Sequence, residues 1–396
     1  MKNQSALFSG EPDFARKIEG AVEKTLPYVH SYIVNTKSEA DFESLKNDPN
    51  IALVEKEVLH PFPALIHSEL QDASQAPVVT VVNPGRPWGI DAIKAPLVWQ
   101  KTQQGKGSRV LLLDSGIDKA HPALKDNFEA GRDFTTDNPQ DFSDFKGHGT
   151  HVAGTIAGAV LPSGFSGVAP KAKILMARVC VENAGCMSSA ILGALNWAIS
   201  KKVDVINISI ASINMTDAEK LAITKVDKAG ISVVAATGNW GTERIFFPAI
   251  LPTVVAVGAV DEQLQHASFS QYGPQLAVVA PGVNILSSVR QGTAHDPTVT
   301  LAWDNQSVKL TASSFGGTKD VTEPLSLRII DCGMGAASDY VGKGVEGKFA
   351  LVQRGGPKFI EKLEVAIKAK VAGVIFMNNE PGLLYGRVTD PGVTSV

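Results

Sequence analysis

Three short segments hold side chains that can do chemistry together. In RVLLLDSGID an apolar run ends on Asp114, and Ser115-Gly116 turns the chain directly after it. A carboxylate at the mouth of a buried strand can be held rigidly and aimed into a cleft. In GHGTHVAGTIAG, Gly147 and Gly149 let backbone approach closely around His148, and the small residues that follow suit a tightly packed helix. Asp114 can orient His148 through one ring nitrogen and leave the other free as general base. In VVAATGNWG, Gly238 and Asn239 follow an apolar run, so the Asn239 amide stands at the same open edge and can donate to a developing oxyanion. Each motif alone reads as a turn or a cap. Three of them at strand ends in one module are far harder to assemble by chance.

Bringing those ends together requires a parallel sheet, and residues 109–289 have its pattern. Apolar runs recur at Val110–Leu113, Ile174–Val179, Val203–Ile210, Ile231–Ala236, Val254–Val260 and Leu276–Ala280, with helical stretches such as Met187–Lys201 and Asp217–Ala229 between them. Continuous apolar strands alternating with helices predict a doubly wound, mainly parallel α/β sheet with helices on both faces. Function collects where such strands end. Before this region lies a small α+β pattern: Tyr32-Ile33-Val34, the helical SEADFESLKNDP and Ile51–Val54. The run from Gln71 to Pro87 reads as a linker. The tail, 291–396, reads as a second α+β module, with strands at Phe349–Val352 and Val374–Met377 and a helix at Lys358–Lys370.

Composition bounds the function. The 396 residues suggest two or three domains, and 44% apolar with 19% charged residues is a globular composition. A net charge of −3 offers no electrostatic argument for nucleic acid or an anionic membrane. No apolar stretch is long enough for a transmembrane helix, and no signal-peptide core is visible at the N-terminus. Of the 3 cysteines, Cys180 and Cys186 are spaced to close a short loop, Cys332 is the odd one, and buried unpaired thiols are the plainer reading.

DSGID, HGTHVAG and ATGNWG resemble the Asp, His and oxyanion-hole signatures of the subtilase family of serine endopeptidases, and the likeness extends over about residues 85–290. SGVAPKAKI and FSQYGPQLAVVAPGVNILS are also similar to the family pattern. The resemblance implies peptide-bond hydrolysis by an Asp/His/Ser triad, with Asp114 orienting His148 and Asn239 in the oxyanion hole. It implies that Ser209, Ile210 and Ala211, with Ala236, Thr237 and Gly238 opposite, hold an extended polypeptide substrate. YIVNTK and DPNIALVEKEV resemble a shortened propeptide, a folding aid and inhibitor acting in cis. The segment from VEGKFALVQRGG to FMNNEPG resembles a protease-associated (PA) domain, inserted in many subtilases before the nucleophile; Pro357 stands where such domains often have Cys. The expected organisation is a propeptide-like region at 1–75, a linker at 76–87, an incomplete catalytic domain at 88–290 and an incomplete PA-like insert at 291–396.

The pattern also breaks. The family carries its nucleophile in Gly-Thr-Ser-x-Ala; these residues contain Gly292-Thr293-Ala294, Gly317-Thr318-Lys319 and, near the end, Gly392-Val393-Thr394-Ser395, but no Gly-Thr-Ser-x-Ala. The expectation is therefore a chain whose serine lies beyond Val396. The alternative is a catalytically inactive truncated subtilase that acts as a peptide-binding or interaction module. The resemblance implies no required cofactor and leaves calcium as the one candidate ion, for which the loop GAVLPSGFSGVAP offers Ser163 and Ser166, poor hard-oxygen ligands. His148-x-x-His151 has a zinc-like spacing, but Gly149-Thr150 supply no base between the two. Relatives with propeptides are mostly exported, so an extracellular location is expected.

Overall fold

The computed structural model describes residues 4–10, 22–36, 38–49, 51–61, 85–182, 184–291, 298–303, 306–311, 325–357 and 359–377. The chain forms two compact units, residues 1–64 with 77–294, and residues 65–76 with 295–396. Most of the stretch read as a linker lies outside the described residues.

The first unit begins with an antiparallel sheet in the order β2-β3-β1-β4, made of β1 (Gln4–Gly10), β2 (Val22–Leu26), β3 (Ser31–Thr36) and β4 (Ile51–Lys56). Helix α1 (Glu39–Lys46) covers it, capped by the Ser38 side chain accepting from the Asp41 amide. Phe42 of α1 closes a small core with Tyr32 and Val34. A two-residue strand, β5 (Leu59–His60), leaves this sheet for another partner.

Then come two short helices, α2 (Trp88–Ala92) and α3 (Pro96–Thr102), and the large sheet. Its strands are β6 (Arg109–Asp114), β7 (Phe128–Asp133), β8 (Lys173–Arg178), β11 (Val205–Ile208), β12 (Ser232–Ala236), β13 (Val254–Val260) and β14 (Val278–Pro281). They run in the order β14-β13-β12-β11-β6-β8-β7, and every pairing is parallel. Between β8 and β11 lie the short strands β9 (Cys180–Val181) and β10 (Gly185–Met187). The helices of this region are α4 (His148–Ala157), α5 (Ser188–Lys201) and α6 (Asp217–Lys228).

Period-two alternation divides the sheet into two faces. Leu111, Leu113, Ile206, Ile208, Val233 and Ala235 pack with Ala194, Leu195 and Ala198 of α5 and Ala222, Ile223 and Val226 of α6. Val110, Leu112, Ile174 and Met176 pack with Ala153 and Ala157 of α4. The expected doubly wound sheet is the architecture found. β11 is shorter than the run Val203–Ile210 suggests, because beyond Ile208 the chain leaves its pairings with β6 and β12.

Two features depart from the sequence reading. β7, FEAGRD, is an edge strand whose Gly and charged residues hide it from an apolar pattern. Cys180 and Cys186 are joined in a disulfide that clips β9 to β10, so the reading of unpaired thiols is corrected for this pair. Cys332 is the thiol left buried and free.

The second unit contains a hairpin of β15 (Thr298–Trp303) and β16 (Gln306–Thr311). It also has a parallel sheet of β17 (Ile329–Asp331), β18 (Phe349–Gln353) and β19 (Gly373–Met377), in that order, with helix α7 (Phe359–Lys368). Ala366 of α7 packs with Ala350, Val352 and Cys332. The fully buried Lys362 is tolerated because its ammonium donates to the carbonyls of Gln353 and Gly355; burial nonetheless depresses its pKa.

Candidate active site

The chain reverses direction of travel across the sheet at β6: β7 and β8 lie to one side, β11 to β14 to the other. Such a switch point opens a crevice at the carboxyl ends of the strands, and Asp114 is the last residue of β6. It is completely buried. Its Oδ1 meets His148 Nδ1 at 2.7 Å and accepts the Ser115 amide at 2.7 Å. His148 opens α4, and Gly149 lets it come so near: a Cβ there would stand 2.1 Å from the Gly116 carbonyl oxygen and 3.2 Å from Asp114 Cβ.

The start of α4 has no side-chain cap on its own N-cap residue, Gly147. A neighbouring carboxylate does that work. Asp144, also buried, accepts the amides of Lys146 and Gly147 on Oδ1, and the Thr150 amide and hydroxyl on Oδ2. Ser115 ties it to the end of β6, donating its hydroxyl to Asp144 at 2.8 Å while accepting the Gly149 amide at 3.0 Å. Anions at a helix N-terminus are stabilising, and this one fixes the turn from which His148 projects. Sequence reasoning did not single out Asp144. Its signal was an acidic residue just ahead of a helix start.

Burial disfavours the charged imidazolium of His148, but the charge and hydrogen bond of Asp114, with the further charge of Asp144, overcome it and hold the pKa above its ordinary value. His151, one turn along, goes the other way: burial and the neighbouring His148 lower it. Its Nε2 meets the Ile285 carbonyl at 3.1 Å, which makes it a packed helical histidine. Among the described residues no three His, Cys, Asp or Glu side chains converge on a metal position. The loop holding Ser163 and Ser166 suits calcium poorly, offering hydroxyls where carboxylates are wanted.

Asn239 follows β12 by three residues and is exposed. Gly238, at φ +112°, makes the turn, and a Cβ there would crowd Gln271 and Phe246. The Gln271 side chain accepts the amides of Trp240 and Thr242 and so pins the turn on both sides of Asn239. Ser209, Ile210 and Ala211 continue from β11 past the end of its ladder. Ala236 ends the adjacent β12 and Thr237 and Gly238 follow it; the Thr237 amide is bonded to Val257, and the Thr237 and Gly238 carbonyls accept from Phe246 and Gln271.

The N-terminal sheet bears on this region through carboxylates that sequence reasoning missed. Glu57 accepts the Ser188 hydroxyl and the Ser189 amide at the start of α5, and Glu55 accepts the Asp217 and Ala218 amides at the start of α6. Both use the orphan donors of a helix N-terminus. Removing both, Glu55→Ala with Glu57→Ala, is expected to weaken the docking of residues 22–60 by about 2 kcal/mol. Limited proteolysis should then cut this region at least about tenfold faster, with the rate for residues 109–281 unchanged; equal rates in both proteins would refute the docking role.

Comparison with known proteins places the chain in a family. The subtilase family model matches residues 105–318, and the PA domain model matches residues 321–395. Subtilisin NAT of Bacillus subtilis subsp. natto is 36% identical over 74% of this chain and 72% of its own length. The major intracellular serine protease of Bacillus subtilis is 40% identical over 51% of this chain and 66% of its own. The thermostable alkaline protease of Halalkalibacterium halodurans is 35% identical, covering 66% and 65%. This chain belongs to the subtilase family of serine endopeptidases and carries a PA domain after its subtilase domain.

Proposed function

We propose that the protein hydrolyses peptide bonds by acyl transfer to a serine, with Asp114 holding His148 and His148 acting as general base. The observation that carries this reading is the 2.7 Å contact between the two buried side chains at the switch point of the sheet. A serine hydroxyl presented to His148 attacks the scissile carbonyl and gives its proton to Nε2. The resulting imidazolium, stabilised by Asp114, returns the proton to the departing amine as the C–N bond breaks, and water repeats the sequence on the acyl-enzyme. Asn239 donates to the oxyanion. The scissile strand is held by Ser209–Ala211 on one side and Ala236–Gly238 on the other. The reaction invokes no cofactor.

The 396 residues contain no Gly-Thr-Ser-x-Ala, so this reading assigns the nucleophile to sequence outside them. Packing supports the assignment. Side chains of β11 to β13 that face α5 and α6 are closed off, with Ile206 and Ala256 at 0% exposure, whereas the alternate ones, Asn207, Val234 and Val257, are half-open and Val255 is 39% exposed. Among the described residues the α4 side of the sheet is an incomplete layer, open where a further helix would sit.

Residues 1–75 serve as a cis-acting propeptide, a role supported by Glu55 and Glu57 on the two helix starts. The catalytic region then spans 88–290, with a PA-like module from 291. Export is supported by the Cys180–Cys186 disulfide, since such bonds persist in oxidising compartments; no described helix is long and apolar enough to cross a membrane. The test is labelling of the full gene product with a fluorophosphonate. A covalent adduct that vanishes in His148→Ala is the expected result. Absence of any adduct, with peptides still bound, would establish an inactive binding module instead.

A further inference from the structure

We propose that Glu219 forms the floor of a substrate subsite that selects histidine in an extended peptide; this deepens, and rests on, the endopeptidase reading above. The chain itself shows what the site accepts. β5 lies at the edge of a small sheet in the order β5-β10-β9, antiparallel to β10, with His60 opposite Cys186 and Leu59 opposite Met187. Main-chain pairing of this kind takes any extended peptide, and selectivity comes from the pockets that receive its side chains. A substrate strand would take the place of residues 59–60 on this edge, which the Cys180–Cys186 disulfide ties to β9.

The pocket under this edge is acidic. His60 is buried, and its Nε2 stands 2.9 Å from Glu219 Oε1. Glu219 is 0% exposed and cannot swing away, because its Oε2 accepts both the amide and the hydroxyl of Thr216 in the capping box that starts α6. Oε1 faces the incoming strand. An apolar occupant would leave it buried without a donor, and a carboxylate would set like charges together; both are disfavoured. Lysine and arginine carry their charged ends one to two bonds farther from Cβ than an imidazole nitrogen, so they must fold back to meet the same oxygen. Histidine fits in length and donates.

The first arm of the test needs no catalysis. In the full chain, position 60 is varied (His60, His60→Leu, His60→Glu) in the natural background and in Glu219→Met, and amide hydrogen exchange is read at Leu59–His60 and Gly185–Met187. With Glu219 present, His60 should slow exchange by about tenfold or more relative to leucine; with Glu219→Met the order should invert. Equal protection by leucine, or a histidine preference that survives Glu219→Met, overturns the proposal. Comparing residues within one background removes any general loss of stability from the altered cap.

The second arm digests a peptide library with the catalytically complete protein. Enrichment of histidine at one fixed distance from the cleaved bond, lost in Glu219→Met, is the expected result. Cleavage without that enrichment overturns the subsite and leaves the endopeptidase reading standing. No cleavage of any peptide overturns the endopeptidase reading itself, and with it the substrate.

Discussion

Asp114→Asn should lower turnover by about 10⁴-fold in the protein carrying its serine, with little change in the Michaelis constant. The expectation follows from what Asp114 touches. Its Oδ1 faces His148 Nδ1 at 2.7 Å and also accepts the Ser115 amide. An asparagine keeps the volume, but whenever its NH₂ takes the place of Oδ1 it gives up the Ser115 bond and donates towards Nδ1. That moves the ring proton to Nε2, the nitrogen that must be unprotonated to activate a hydroxyl. The substitution also removes the charge that opposes desolvation. His148 is held above its usual pKa of 6.5 only because Asp114 and Asp144 outweigh burial. The acid limb of kcat/KM should accordingly lie above pH 6.5 in the natural protein and move to lower pH in the variant. The linked stability has the same sign logic. A raised folded-state pKa contributes stability that is fully present below the unfolded value of 6.5 and is lost as pH climbs through the folded value. A variant with turnover within tenfold of the natural protein, and an unmoved acid limb, would sink the orienting role.

How much of this was legible in the sequence depended on how far each partner lies along the chain and on whether a side chain announces its environment. β6 and β8 could be read because strands buried on both faces are continuous apolar runs, β12 and β13 because they are equally apolar although one face is half-open, and Asp114 stood out because it breaks such a run at its end. β7 could not: at the sheet edge it needs no apolar continuity, and FEAGRD has none. β14 runs from Val278 to Pro281, shifted from the apolar stretch Leu276–Ala280, because only Val278 and later residues pair with β13. His148 was legible from local glycines. Asp144 looked like an ordinary turn residue, since its meaning lies in the donors folded around it. Glu55, Glu57 and Glu219 are ordinary acidic residues in helical or strand-like surroundings; each acquires a role from a partner more than a hundred residues away, which no local pattern encodes. The pairing of Cys180 with Cys186 was open on spacing alone and is settled by the β9–β10 hairpin, which sets the two residues directly opposite.

Asn239→Ala should lower turnover by about 10²–10³-fold while leaving substrate affinity nearly unchanged, a magnitude known for such a donor in subtilisin itself. The position is suited to this effect for two reasons. First, the turn is rigid: Gly238 takes φ +112°, and the amides of Trp240 and Thr242 are anchored on the Gln271 side chain, which is itself held by a bond from its NH₂ to the Thr242 hydroxyl. A donor on a fixed turn needs no reorganisation when charge develops, which is the condition for stabilising a transition state more than a ground state. Second, the Asn239 side chain is exposed and takes no part in holding the fold. Its loss should therefore leave the melting temperature within about 1 °C, because surface substitutions of this kind stay within roughly 0.5 kcal/mol. The two readouts separate the roles. A fall in kcat with unchanged KM and unchanged melting temperature marks a group that acts on the transition state alone. A rise in KM with kcat preserved would make Asn239 a ground-state contact. A large drop in melting temperature would make it a structural turn residue, and in either case another donor would have to serve the oxyanion.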